Sequence, residues 1–270
     1  MAKPRGDRIE APCGNDADAG TVVLLHGSTG SGAMWRDLAG GLRCCFEVLA
    51  PDLVGYGKAA PWPVGVDFRL EREADAIAPL LLVADKQFHL VGYSYGGAVA
   101  LNMALANPGR VASLTLIEPV AFGLLHEPGS EEALAEIEAV SGAYSETLRA
   151  RDVERAVSRF VDYWSGPGAW KGFPETLRAD TLRIADKIAL DFEATLGDPA
   201  RIEDCTHLDI PALVVAGGKA PKPTRRIAEL LAGALPRSRY EVVAEAGHML
   251  PFSHAGFLTR EIRAFLGCRR

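Results

Sequence analysis

The chain lacks the features that would place it with a polymer or a bilayer. Basic residues never run beyond short pairs such as Arg225-Arg226 and Arg269-Arg270, and the net charge is −6. A nucleic acid backbone needs clustered Lys and Arg, so nucleic acid is excluded as a partner. No apolar run approaches the ~18 residues that span a bilayer, so no membrane span is expected. The opening "MAKPRGDRIE" has no apolar stretch of the kind a signal peptide requires, and a cytoplasmic location follows as an expectation. The five cysteines (Cys13, Cys44, Cys45, Cys205 and Cys268) are odd in number and match no zinc or redox spacing. Cys44 and Cys45 read as small apolar residues near a helix-to-strand junction. The simplest reading is a reducing compartment with no metal site. Repeats and low-complexity segments are also absent. One lack is local: no carboxylate occurs between Asp209 and Glu229.

What is present is a packed globule. Hydrophobic residues make up 48% and charged residues 24% of 270 positions, which suits one α/β domain with an inserted subdomain. Continuous apolar runs at 21–27, 88–94, 111–119 and 212–218 read as strands buried on both faces. Further strands are expected at the start of 46–57 and in 239–247. Amphipathic patterns at 33–42, 68–82, 95–108, 224–235 and 256–266 read as helices between them. This alternation implies a mostly parallel sheet covered on both sides. Residues 120–207 break it. They hold no convincing strand, helical patterns at 151–164 and 187–196, and a turn at 165–170. They read as a helical cap, 120–207, inserted into a core made of 1–119 and 208–270. Before residue 21 the chain has room for one edge strand or a degraded hairpin.

Four motifs carry chemistry. "GYSYG" at 92–96 lies between a strand and a helix, the setting of a G-x-S-x-G nucleophile elbow. Small neighbours permit the strained turn that lifts Ser94 Oγ above the sheet edge, at a helix N-terminus whose partial positive charge favours an oxyanion. "HGSTGSG" at 26–32 is a Gly-rich turn after a buried strand. Its Ser28 N–H and the Tyr95 N–H form a candidate oxyanion hole, against the plainer reading of a tight turn with a structural His26. "AGHMLPF" at 246–252 follows the last strand and supplies His248 as candidate general base, in the chain order Ser, acid, His. Of the other histidines, His89 reads as core, His126 and His207 as belonging to the helical region, and His254 as a helix start. "PDLVGYG" at 51–57 reads as a pocket-lining loop whose Asp52 hydrogen-bonds its own turn.

In that order, these motifs resemble the α/β-hydrolase superfamily, and most of all its serine esterase and lipase-like branch with a helical cap. The resemblance covers residues 20–268. It implies a Ser-His-acid triad, an acyl-enzyme and no cofactor. It also implies an acid after the strand at 212–218, near position 220, where this chain has Ala220. Some members, certain dehalogenases and lipases among them, carry the acid after the strand that follows the nucleophile helix. Here that position is Glu118. The alternatives are Asp52, an insertion residue such as Asp191, or a Ser-His pair without an acid.

The expected substrate is a small molecule: a small to medium, mostly apolar ester, thioester or lactone. Trp35, Tyr56, Phe122, Tyr163, Trp164 and Met249 are candidate pocket residues, although buried aromatics more often serve packing. Two other readings remain open. One is carbon–carbon bond hydrolysis on the same triad. The other is a non-turnover ligand-binding protein, which the absence of an acid near Ala220 would suit. No feature of the sequence sets an oligomeric state.

Overall fold

Each apolar run becomes a strand of one parallel sheet. The computed structural model describes residues 20–63, 65–81 and 87–268, and the N-terminal strand or hairpin considered above lies outside them. The strands are β1 (Thr21–Leu25), β2 (Glu47–Leu49), β3 (Phe88–Tyr93), β4 (Val111–Ile117), β5 (Ala212–Gly217) and β6 (Ser238–Val243). Their order across the sheet is β2-β1-β3-β4-β5-β6, parallel throughout. The inner strands β1 and β5 are buried along their whole length, as a sheet covered on both faces demands. The edge strands β2 and β6 are short or half-exposed, and both end before the apolar runs that contain them. Chain order reverses between β1 and β3, and that switch point is where open α/β sheets place their ligands. Register makes the switch usable. Leu25 pairs with Gly92, and Ile117 pairs with both Tyr93 and Val215, so the loops after β1, β3, β4 and β5 leave the sheet side by side.

The helices are α1 (Arg36–Leu42), α2 (Leu70–Leu81), α3 (Tyr95–Ala106), α4 (Glu131–Arg149), α5 (Val153–Ser165), α6 (Ala169–Gly172), α7 (Glu175–Arg183), α8 (Ala185–Leu196), α9 (Ile202–Thr206), α10 (Lys222–Ala234), α11 (Leu250–Ser253) and α12 (Ala255–Phe265). Helix α3 is apolar all round and fully buried over its first seven residues, which suits a helix pressed against the sheet. Helices α4 to α9 all fall between β4 and β5. The sequence pattern resolves α5 and α8 there but not α4 or α7. Helix α4 buries only Ala133, Ile137 and Tyr144, a stripe too thin to stand out among its glutamates. The turn expected at 165–170 is present as far as Gly168, with Gly166 at φ 103° and Gly168 at φ 81°, and α6 takes up its last two positions.

One face of the sheet shares its apolar core with the insertion. Leu116, Val214 and Leu101 belong to the same buried cluster as Phe122, Ile137, Tyr144 and Phe192. The opposite face packs under α1 and α12 through Leu38, Leu42, Leu258 and Ile262. A small separate cluster of Val157, Val161, Trp170 and Ala185 lies wholly inside the insertion.

The cysteine reading needs correction. Cys45 and Cys268 form a disulfide, and Cys44 Sγ lies 3.6 Å from each of their sulfurs. The partners are 223 residues apart, so neither spacing nor an odd count reveals the pair. It forms because the junction of α1 and β2 meets the chain beyond α12. Cysteine usage therefore gives no support for a reducing compartment. Among the described residues, no helix is long and apolar enough to cross a membrane.

Candidate active site

The elbow is held by close backbone approach. Ser94 sits at φ 53°, ψ −118°, between the end of β3 and the start of α3. A Cβ on Gly92 would lie 2.2 Å from Gly96 O, and one on Gly96 would lie 2.4 Å from Leu25 O. No side chain fits at either position, which is the physical content of the two flanking glycines. The chain has four described non-glycine residues at positive φ: Thr29, Ser94, Glu118 and Arg151. Three of them surround the switch point, and such strain persists where surrounding contacts over-determine the backbone.

The structure brings Ser94, His248 and Glu118 together. His248 Nε2 lies 3.0 Å from Ser94 Oγ, and its Nδ1 lies 3.0 Å from Glu118 Oε2. All three are buried, Glu118 completely. With Nδ1 carrying its proton toward the carboxylate, Nε2 is the acceptor for the serine hydroxyl. The other carboxylate oxygen of Glu118 accepts from the Gly217 N–H. The strand end that carries no acid thus donates a backbone hydrogen bond to the acid of its neighbour. Ala220 is buried beside it, and the Lys219 N–H bonds Ala246 O at 2.9 Å. Tyr93 fixes the far side of the imidazole, its OH donating to His248 O at 3.1 Å and its ring lying 5.5 Å from the histidine ring. Trp164, from α5 of the insertion, stacks at 4.3 Å on the same histidine.

The turn after β1 lies against the elbow. A Cβ on Gly27 would fall 3.1 Å from Ser94 Cβ, and the next residue, Ser28, lines the same cavity as Ser94. Tyr95 is the first residue of α3, and its N–H is among those a helix leaves without an internal acceptor. His26 ties this turn to the loop after β2. Its Nδ1 donates to Gly27 O at 2.8 Å, and its Nε2 accepts from Leu53 N–H at 2.9 Å. Full burial lowers its pKa to about 4, against the opposing pull of the Gly27 carbonyl. Asp52 accepts from the Lys58 N–H of its own loop and from the Gly32 N–H of the turn after β1, each at 2.8 Å, and so also ties its loop to that turn.

Asp191 is turned elsewhere as well. It accepts from Ser28 Oγ and from Tyr56 OH, each at 2.5 Å, and pairs with Lys187. Lys187 Nζ also lies 3.1 Å from Glu73 Oε1, among the rings of Tyr56, Phe68 and Tyr95. Burial raises the Glu73 carboxyl above its usual range, and desolvation raises both tyrosines. The sequence reading missed Glu73 and Lys187. Their only signal is a charge inside each helix's apolar stripe.

A cavity of about 770 Å³ opens above Ser94 and His248. Tyr56, Phe122, Trp164 and Met249 line it, together with Phe160 and Phe192. Trp35 and Tyr163 do not. Trp35 is buried on the α1 face of the sheet with Leu38 and Leu42. Tyr163 turns its OH away to Glu136 at 2.7 Å and meets Trp164 edge-on at 4.7 Å. Arg183 is the one Lys or Arg among the described lining residues, and it is paired with Asp180.

Comparison with known proteins identifies the family and the fold. A family model described as alpha/beta hydrolase fold matches residues 20–255. The chain is 31% identical over 252 residues to a pimeloyl-(acyl-carrier protein) methyl ester esterase of Neisseria meningitidis, covering 91% of this chain and 93% of the relative. Among solved structures, MenH from S. aureus matches with a TM-score of 0.74 at 19% identity, covering 96% of each chain. The 2-hydroxy-6-oxo-6-phenylhexa-2,4-dienoate hydrolase from Rhodococcus sp. strain RHA1 matches with a TM-score of 0.72 at 18% identity, over 94% of this chain and 92% of that one.

Proposed function

The chain belongs to the α/β-hydrolase family, and from that premise we propose that it is a serine hydrolase cleaving a small to medium, mostly apolar carboxylic ester, thioester or lactone. Residues 120–207 act as its cap, and residues 1–119 with 208–270 as its core. The observation that carries the reading is one histidine with a serine hydroxyl at 3.0 Å on one nitrogen and a buried carboxylate at 3.0 Å on the other.

In the reaction, His248 Nε2 takes the proton of Ser94 Oγ as the oxygen attacks the substrate carbonyl. Glu118 holds the Nδ1–H tautomer and stabilises the imidazolium that forms. The Ser28 and Tyr95 N–H groups receive the oxyanion, where fixed donors outperform water because they need no reorganisation. The C–O or C–S bond to the leaving group then breaks, and His248 returns the proton to it. Water, deprotonated by His248, attacks the acyl-enzyme and frees the acid. The cavity supports an apolar acyl group, since its one cation is paired and its inner carboxylate, Asp191, opposes an anionic chain end. The meningococcal relative is named for the methyl ester of an acyl chain, a substrate class consistent with a cavity of about 770 Å³.

Fluorophosphonate labelling tests the reading directly. One label per chain on Ser94, lost in Ser94→Ala, together with turnover of short-chain nitrophenyl esters, is the expected result. Failure to label points to a binding protein. Labelling with turnover of a vinylogous diketone but no ester points to carbon–carbon hydrolysis.

A further inference from the structure

The side chains of the two proposed oxyanion residues end in the same buried ion chain. Ser28 Oγ donates to Asp191 Oδ2 at 2.5 Å, and Tyr95 OH donates to Glu73 Oε1 at 3.1 Å. Lys187 joins those two carboxylates, 3.1 Å from Glu73 Oε1 and paired with Asp191. The Lys187 and Asp191 side chains are each only 6% exposed, and that of Glu73 not at all. Lys187 Nζ lies 4.7, 4.6 and 4.5 Å from the ring centres of Tyr56, Phe68 and Tyr95. Its stem packs over Gly55, where a Cβ would lie 3.3 Å from Lys187 Cγ.

Burying one cation between two carboxylates costs several kcal/mol per ion before pairing offsets it, and apolar replacements of such groups are often neutral or stabilising. Stability is therefore a weak reason for the chain to exist here. Its location supplies another. The chain connects α2, α8, the loop after β2 through the Val54 N–H to Glu73 at 2.8 Å, the turn after β1 and the first residue of α3. Lys187 and Asp191 come from the insertion; Asp191 holds Ser28 directly, and Lys187 reaches Tyr95 through Glu73 of α2.

We propose that the Glu73–Lys187–Asp191 chain is the positioning element of the oxyanion hole, gripping Ser28 at one end and Tyr95 at the other, so that docking of the helical insertion fixes the two donor N–H groups. The inference rests on the hydrolase reading above. The three charged residues are positioning residues and touch no reacting atom. The oxyanion sits on backbone N–H groups that every side-chain variant retains, so loss of a tether misplaces a donor without deleting it. Misplacement by about 1 Å is enough for a loss on the order of 100-fold.

The test uses Ser28→Ala, Tyr95→Phe and Asp191→Asn, with the nitrophenyl ester that wild type turns over best. Each variant is expected to lose about 10- to 100-fold in kcat with KM changed less than about threefold. Affinity for an alkyl trifluoromethyl ketone, whose adduct with Ser94 puts an oxyanion in the hole, falls by the same factor. Asp191→Asn added to Ser28→Ala costs less than about threefold more, because both cut one tether. A merely structural chain would lower the melting temperature and leave kcat and ketone affinity within about twofold of wild type. That result, or losses that multiply in the double variant, overturns the proposal. If Asp191→Asn does not fold, Ser28→Ala and Tyr95→Phe decide alone, since they leave all three charges in place, and kcat within twofold in both overturns it. Failure of the underlying reading looks different: wild type itself would then neither label with fluorophosphonate nor turn over.

Discussion

His26 and His248 make an instructive pair. Both are buried, both follow a β-strand of the same sheet, and both have a tyrosine ring 5.5 Å away. They differ in what their nitrogens meet. His26 spends both on backbone, Gly27 O and Leu53 N–H. One nitrogen must donate and the other accept, so the ring is locked neutral. His248 has a carboxylate on one side and a hydroxyl on the other. His26 is placed as a brace, and the carboxylate beside His248 is what the proposed base role rests on.

The strongest way to break this contrast is to remove the anion. Glu118→Gln is expected to lower kcat by at least ~100-fold with the fold intact by circular dichroism. If activity stays within a few-fold of wild type, the carboxylate is not what separates the two histidines. The next test titrates the brace. The folded pKa of His26 is about 4, below the unfolded value of about 6.5. The neutral ring therefore contributes stability that is fully present above pH 6.5 and is lost as pH falls toward 4, amounting to about 3 kcal/mol. Urea titrations across that window should show His26→Gln with a shallower fall than wild type, by up to about 1.4 kcal/mol per pH unit. A parallel fall would mean that His26 is not held neutral. At neutral pH the same variant should lose about 1–3 kcal/mol of stability while keeping kcat within about tenfold. A larger kcat loss would make His26 part of the chemistry. The smallest effect sharpens the role of the anion. Ala220→Asp, placed on Glu118→Gln, is expected to recover activity by less than about tenfold, because a carboxylate in the neighbouring loop approaches His248 from a backbone not shaped for it.

The contrast also marks what a sequence can carry. Ser94 and His248 are legible because each lies in a motif whose glycines and strand context have a steric reason. The core strands are legible because burial on both faces leaves an unbroken apolar run. Glu118 is legible only through the family resemblance, which points to this strand end once the carboxylates missing from the next one are noticed. Lys187 and Glu73 are not legible, since a charge on a helix reads as solvent-facing until its partner, 114 positions away, is known. The disulfide of Cys45 with Cys268 is hidden in the same way. Trp35 and Tyr163 show the converse: large apolar residues near the site in sequence that serve packing in space.

Glu118 has one more consequence, for modularity. It stands at φ 49° immediately before Pro119, and two residues on the Val120 N–H bonds Ser94 O at 3.3 Å. The helical insertion starts at this joint. In a member of the fold with its acid beyond the insertion, the insertion can be exchanged as a cassette. Here Glu118, the proposed acid, stands at the joint itself. A chimaera that replaces 121–207 to change substrate keeps both Glu118 and the Val120 N–H bond to Ser94 O, whereas a splice at 120 cuts next to that bond.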